Sequence, residues 1–103
     1  EWGGTPLHWA VWYGHVDLVR QLIAAGAPVN VRDTRYGSSP IAWCAHGSQF
    51  SERANDDDYP AIARLLLEAG ATRAESYNRW NEPPESMARP SVVAVLRAHG
   101  FMG

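Results

Sequence analysis

The side chains in this 103-residue chain with chemistry to offer are four histidines (His8, His15, His46, His99), one cysteine (Cys44), the aspartates 56–58 and the paired hydroxyls Ser38 and Ser39. A dedicated zinc site draws on closely spaced ligands such as Cys-x-x-Cys or two His on one helix face. Neither spacing occurs here, and Cys44 with His46 is the one close pair. Asp56-Asp57-Asp58 has the charge of a calcium loop but lacks its alternating ligands and its sharp-turn Gly, so it reads as solvated loop. Ser38 and Ser39 follow Gly37 without a Gly-x-Ser-x-Gly elbow, and Glu82 and Glu85 face no identifiable opposing carboxylate. Nothing assembles an acid, a base and an oxyanion site, so the sequence predicts no enzyme, no metal and no cofactor.

What the chain concentrates instead is rings and guanidinium groups: five Trp, four Tyr, and nine Arg with no Lys. For the Arg bias two readings stay open, a preference for planar, stacking cations or a biased genome composition. The formal charge is −2, which argues against nucleic acid because phosphate neutralisation wants a basic excess. No apolar run approaches the roughly 20 residues of a membrane span, and Glu1-Trp2-Gly3-Gly4 has neither a basic n-region nor an apolar h-region. A lone Cys makes no intrachain disulfide, so the expected setting is cytoplasmic. The length suits one domain.

The elements that must position these residues come in repeats. Trp2-Gly3-Gly4-Thr5-Pro6-Leu7-His8-Trp9-Ala10 aligns with Tyr36-Gly37-Ser38-Ser39-Pro40-Ile41-Ala42-Trp43-Cys44, an offset of 34. Leu18 to Ala27 matches Ile62 to Ala71 at an offset of 44, so an insertion separates the two blocks of the second unit. The polar stretch 48–59, with no apolar period, reads as that insertion and as a loop. A degenerate third copy follows: Trp80 keeps the aromatic-to-Pro spacing with Pro84, and Pro90 to Gly100 matches Pro60 to Gly70. Its first helix must be short. Units fall at about 1–35, 36–79 and 80–103 of a single domain. Thr5-Pro6 and Ser39-Pro40 read as helix starts capped by a hydroxyl, and Gly26, Gly70 and Gly100 as helix stops. Such helix pairs bury their apolar faces only by stacking, and Cys44, equivalent to Ala10, reads as inert packing.

Gly3-x-Thr5-Pro6-Leu7-His8-x-Ala10, Gly14-His15, Leu18-Val19-x-x-Leu22-Ile23-x-x-Gly26-Ala27-x-x-Asn30-x-x-Asp33 resembles the ankyrin repeat closely over residues 3–33. The resemblance continues over 37–71 with an interruption and loosely over 80–100. It implies an all-α, ankyrin-type α-solenoid of stacked helix-loop-helix units with hairpin-like turns, in which His8 and His15 are structural residues bonding the backbone. The chain departs from the pattern at three places. Ala42 stands where the family has His, the turn from Asp33 to Gly37 is one residue longer, and Glu85 sits at the place of the core residue Leu7, as a wet terminal unit tolerates.

The resemblance further implies a surface that binds another protein. Its variable positions facing the concave groove are here Trp12, Tyr13 and His46, and those at the turn tips are Trp2, Arg35 and Tyr36. Large aromatics and Arg are the types that dominate interface hot spots. Trp80 joins Trp2 and Trp12 as a candidate for surface contact, while Trp9 and Trp43 read as framework packing. The alternative is that the segment is a C-terminal structural cap of a longer solenoid with no site of its own. An abrupt, uncapped first repeat would expose Leu7, Leu18 and Leu22 and favour self-association.

Overall fold

The computed structural model describes residues 3–101. Five α-helices and one 3-10 turn follow in order: α1 Pro6–Trp12, α2 Val16–Ala24, α3 Pro40–Phe50, α4 Asp58–Glu68, the turn Pro84–Ser86, and α5 Pro90–Ala98. No strand occurs among the described residues. α1 with α2, α3 with α4, and the turn with α5 form three successive pairs, the all-α solenoid expected from the repeats. Bracketed by Pro84 and Pro90, the short first helix of the third pair shrinks to a single 3-10 turn.

The first helix start is a reciprocal cap. The Thr5 hydroxyl accepts the His8 amide at 3.4 Å, and the Thr5 amide donates to His8 Nδ1 at 2.9 Å. With Nδ1 accepting, Nε2 carries the proton and donates to the Ser38 carbonyl at 2.9 Å, tying the first pair to the second. Ser39 holds the same place before α3 but, with Ala42 three residues on, makes no cap bond, and its hydroxyl is buried without a partner. The expected pair of hydroxyl caps is therefore one cap. His15 likewise departs from expectation: it precedes α2 without a side-chain cap bond, and its exposed ring lies 6.3 Å from that of Tyr13.

The helix stops recur as predicted. Gly26, Gly70 and Gly100 have φ of +93°, +106° and +67°, and the next amide returns to the carbonyl of Leu22, Leu66 or Leu96 at 2.9–3.0 Å.

The stretch 48–59 is loop only in its middle. α3 runs on to Phe50, and α4 opens at Asp58, where Asn55 Oδ1 accepts the amides of Asp57 and Asp58. Tyr59 is fully buried, and Asp56 holds Arg89 at 2.9 Å and Ser91 at 2.8 Å. The insertion is thus a strap onto the third pair, anchored at one end in the core. Ser48 adds to it, its hydroxyl accepting the Arg89 amide at 3.0 Å and its carbonyl the Arg89 guanidinium at 3.1 Å, and polar composition hid all of this because each attachment is a contact to a distant residue.

Arginines staple the units. Arg32 reaches Glu75 at 2.8 Å and the carbonyls of Gly37, Ala74 and Tyr77 at 2.8–3.1 Å. Arg73 pairs both nitrogens with Glu85, at 3.1 and 2.7 Å, so the carboxylate at Leu7's counterpart is a salt-bridge partner, its pKa held below the ordinary carboxylate value by that bond. A guanidinium fork can bond several carbonyls at once, which an ammonium cannot do with the same geometry. One apolar cluster runs from Leu7, Val11 and Val19 through Ile41, Ile62 and Leu66 to Val92 and Leu96. The expected apolar end face is smaller than predicted: Leu7 is 1% exposed and Leu22 partly buried, leaving Leu18 at 44%.

Candidate functional site

Two turn tips and two helices converge on a cleft. The first tip, between α2 and α3, is organised by the buried Asp33 carboxylate, which accepts the amides of Arg35, Tyr36 and Ser38 and, at 2.7 Å, the indole N–H of Trp43. In the second tip Asn78 does the corresponding work, its Oδ1 accepting the amides of Trp80 and Glu82 at 3.0 Å. The correspondence continues at the close of each tip, the second being one residue shorter. Asn78 donates its amide to the Glu82 carbonyl as Asp33 does to that of Ser38, and Asn81, with φ +61°, takes the place of Gly37 at +62°. Asn tolerates that left-handed conformation better than most side chains. Tyr36 and Trp80 are thereby equivalent tip residues. The Arg79 amide donates to the Tyr36 carbonyl at 2.9 Å, and the two rings lie 6.1 Å apart at 47°.

The helices supply the other wall. Trp12 ends α1, and its ring lies 6.1 Å from that of Trp43 at 79° and 5.7 Å from that of His46. Between these rings and the tips opens a cavity of about 230 Å³, walled by Trp12, Tyr36, Trp43 and Trp80, with Met87 adding a thioether. The polar residues on it are Ser38, His46, Asn78 and Glu82. Ala42 lines it too, and its small side chain is why there is space. His8, its counterpart, fills the matching place with a ring 4.9 Å from Trp43. A histidine at 42 would point at the Glu82 carbonyl as His8 points at Ser38.

The predicted site residues divide accordingly. Trp12, Tyr36 and His46 are brought together on the cleft. Arg35 lies outside the lining with its guanidinium 5.8 Å from the Tyr36 ring, and Tyr13 faces elsewhere, stacked on Trp9 at 6.1 Å. Trp2 lies outside the described residues. Sequence reasoning missed Trp43, which is 4% exposed as framework packing requires yet also walls the cleft, along with Asn78, Glu82 and Met87. The available signal was Ala42, a missing ring at a place where the pattern has one. Burial pushes the His46 pKa below its ordinary 6.5, outweighing the attraction of Glu82, so the imidazole is neutral near pH 7.

Residues 2–34 match the ankyrin repeat family. That segment is similar to one ankyrin repeat. A stretch of 44 residues is 46% identical to an ankyrin repeat-containing protein of Schizosaccharomyces pombe, covering 43% of this chain. The match spans about a fifth of that relative's length, 21%. Ankyrin repeats are in general protein-interaction modules, an interaction fold rather than a catalytic one. Among the described residues, no group of three or more His, Cys, Asp or Glu is placed to hold a metal ion, and no helix is long and apolar enough to cross a membrane.

Proposed function

We propose that the chain binds another protein through the cleft between α1, α3 and the two turn tips. The carrying observation is the aromatic convergence itself, since Trp12, Tyr36 and Trp80 come from three separate segments and enclose a common space. Trp80 is 60% exposed, an amount of open indole that suits a surface awaiting a contact. Trp and Tyr give large contact area at low conformational cost and are enriched where truncation weakens binding most.

The test compares what is captured by the wild type and by a Trp12→Ala, Trp80→Ala double variant of unchanged helicity. Proteins held by the wild type and released by the variant are the expected result; identical capture overturns the assignment.

Self-association is a second reading, supported by Leu18 and Val31, which are 44% and 37% exposed. Sedimentation equilibrium of the wild type against Leu18→Glu separates the two, a concentration-dependent mass lost in the variant being its signature.

A further inference from the structure

Among the described residues that line it, the cleft combines aromatic walls with a single formal charge. Four rings surround it, Glu82 contributes a carboxylate, His46 is neutral near pH 7, and no Arg lines it. Arg35 and Arg79 lie 5.8 and 6.0 Å from the Tyr36 and Trp80 rings, and neither is among the lining residues. The negative faces of aromatic rings attract cations, most of all when the cation has shed its water, and an enclosed ring of such faces is how quaternary ammonium groups are recognised. At about 230 Å³ the space is several times the share of one water molecule and smaller than an ordinary drug-sized site, so it fits one side-chain head.

The polar groups on the wall decide which cation. Asn78 Oδ1 is taken by two backbone amides, and its Nδ2 donates to Glu82 Oε1 at 2.7 Å. The Ser38 amide donates to Asp33, and its carbonyl accepts from His8 and Asp33. A guanidinium brings five N–H donors and a bare ammonium three, each needing a new acceptor once water is lost. Methylation of an ammonium removes the donors and keeps the charge. What remains is a weakly hydrated cation wrapped in methyl groups, suited to indole faces with one carboxylate nearby.

We propose that the cleft receives the methylated ammonium head of a lysine in the partner protein, held against Trp12, Trp43, Tyr36 and Trp80 with Glu82 as counter-ion. This rests on the partner-binding reading above and names the chemistry the site selects. The lysine stem runs outward between the tip rings, and its apolar length lies along Tyr36 and Trp80.

The test titrates the full chain with N-acetyl-trimethyl-lysine amide and follows indole fluorescence and backbone amide shifts. Three comparison probes are N-acetyl-lysine amide, the neutral analogue with a tert-butyl carbon in place of the quaternary nitrogen, and tetramethylammonium chloride. Tenfold or more tighter binding of the trimethyl-lysine probe than of all three is the expected result, a factor within reach of a desolvated cation–π site. Glu82→Gln is expected to weaken it about threefold or more, as loss of one partly exposed counter-charge does. Ala42→His is the decisive variant, because its ring occupies the cleft while supplying the partner Ser39 lacks. It is expected to abolish binding with the melting temperature unchanged or raised. Equal binding of the tert-butyl analogue, or no binding of any probe, overturns the cation assignment. Tetramethylammonium binding as tightly as the lysine derivative overturns the lysine stem. Because the probes need no partner protein, this result stands apart from the capture experiment: either reading fails without the other.

Discussion

The Tyr59 hydroxyl donates a hydrogen bond to the carbonyl of Trp12. Tyr59 is fully buried at the foot of the insertion, and its ring fills the space beside Gly14 and Gly47, where an added Cβ would meet it at 3.3 and 3.1 Å. A segment whose composition reads as solvated loop thus supplies the post on which the end of α1 rests, and with it the orientation of Trp12 in the cleft. Burial raises the Tyr59 pKa above its ordinary value, so the hydroxyl stays a donor. Tyr59→Phe keeps the packing and deletes the bond, leaving one carbonyl unpaired, and is expected to cost about 1 kcal/mol in urea unfolding. Trp12 fluorescence should shift with it; an unchanged unfolding midpoint would contradict the anchoring role.

The two cap positions should respond in opposite ways. Thr5→Ala removes half of a reciprocal cap and leaves His8 Nδ1 with only the Thr5 amide, a loss of about 1 kcal/mol. Ser39→Ala removes a buried hydroxyl with no partner, so it should be neutral or stabilising by a few tenths of a kcal/mol up to about 1 kcal/mol. Thermal melts of the two variants side by side check this, and equal losses would mean that Ser39 has a partner in solution.

Asp33 carries more of the first tip than any other residue. Its carboxylate takes four N–H groups, one of them the Trp43 indole that walls the cleft. Asp33→Asn exchanges one accepting oxygen for a donor facing N–H groups, and the expected cost is about 2 kcal/mol or more, since bonds to charged acceptors are worth about 1.5–3 kcal/mol each. Near-ultraviolet circular dichroism should show the Trp43 band weakened. A variant as stable as the wild type with an intact band would refute the account.

The fold was legible because each repeat carries its own local signals. Thr5-Pro6, the Gly26, Gly70 and Gly100 stops and the apolar stripes act over a few residues, where sequence and structure are nearly the same thing. The attachment of the insertion was not legible, because Tyr59 to Trp12 and Asp56 to Arg89 are contacts 47 and 33 residues apart that leave no periodic trace. Trp12, Tyr36 and His46, which line the cleft, were singled out by the resemblance to the ankyrin pattern. Trp43 was hidden because one ring serves both packing and lining, and Glu82 because the second tip keeps the first tip's geometry with different residues.

Acid should destabilise the chain in two steps, and the sign follows from the direction of each shift. Burial depresses the His8 pKa below its ordinary 6.5, with the Ser38 carbonyl and Asp33 opposing more weakly. The unfolded chain therefore takes up the proton first. The stability that neutral His8 contributes is complete above about pH 6.5 and is lost as pH falls toward its lower folded value. His46, depressed for the same leading reason, adds loss in the same direction. Below that, Glu85 enters: its folded pKa lies under the ordinary 4.5 because of Arg73, so its contribution is intact above about pH 4.5 and disappears as it protonates. Urea midpoints of the wild type and of His8→Gln, measured from about pH 7.5 to about pH 4, separate the groups. The variant should start less stable, because a Gln side chain can accept the cap amide but does not also reach the Ser38 carbonyl as the ring does, and should then show a shallower decline in the range just below about pH 6.5. The two curves should run parallel below that range, where Glu85 acts in both. A decline of equal slope in both proteins through the upper range would show that His8 is not the residue that takes up the first proton on unfolding.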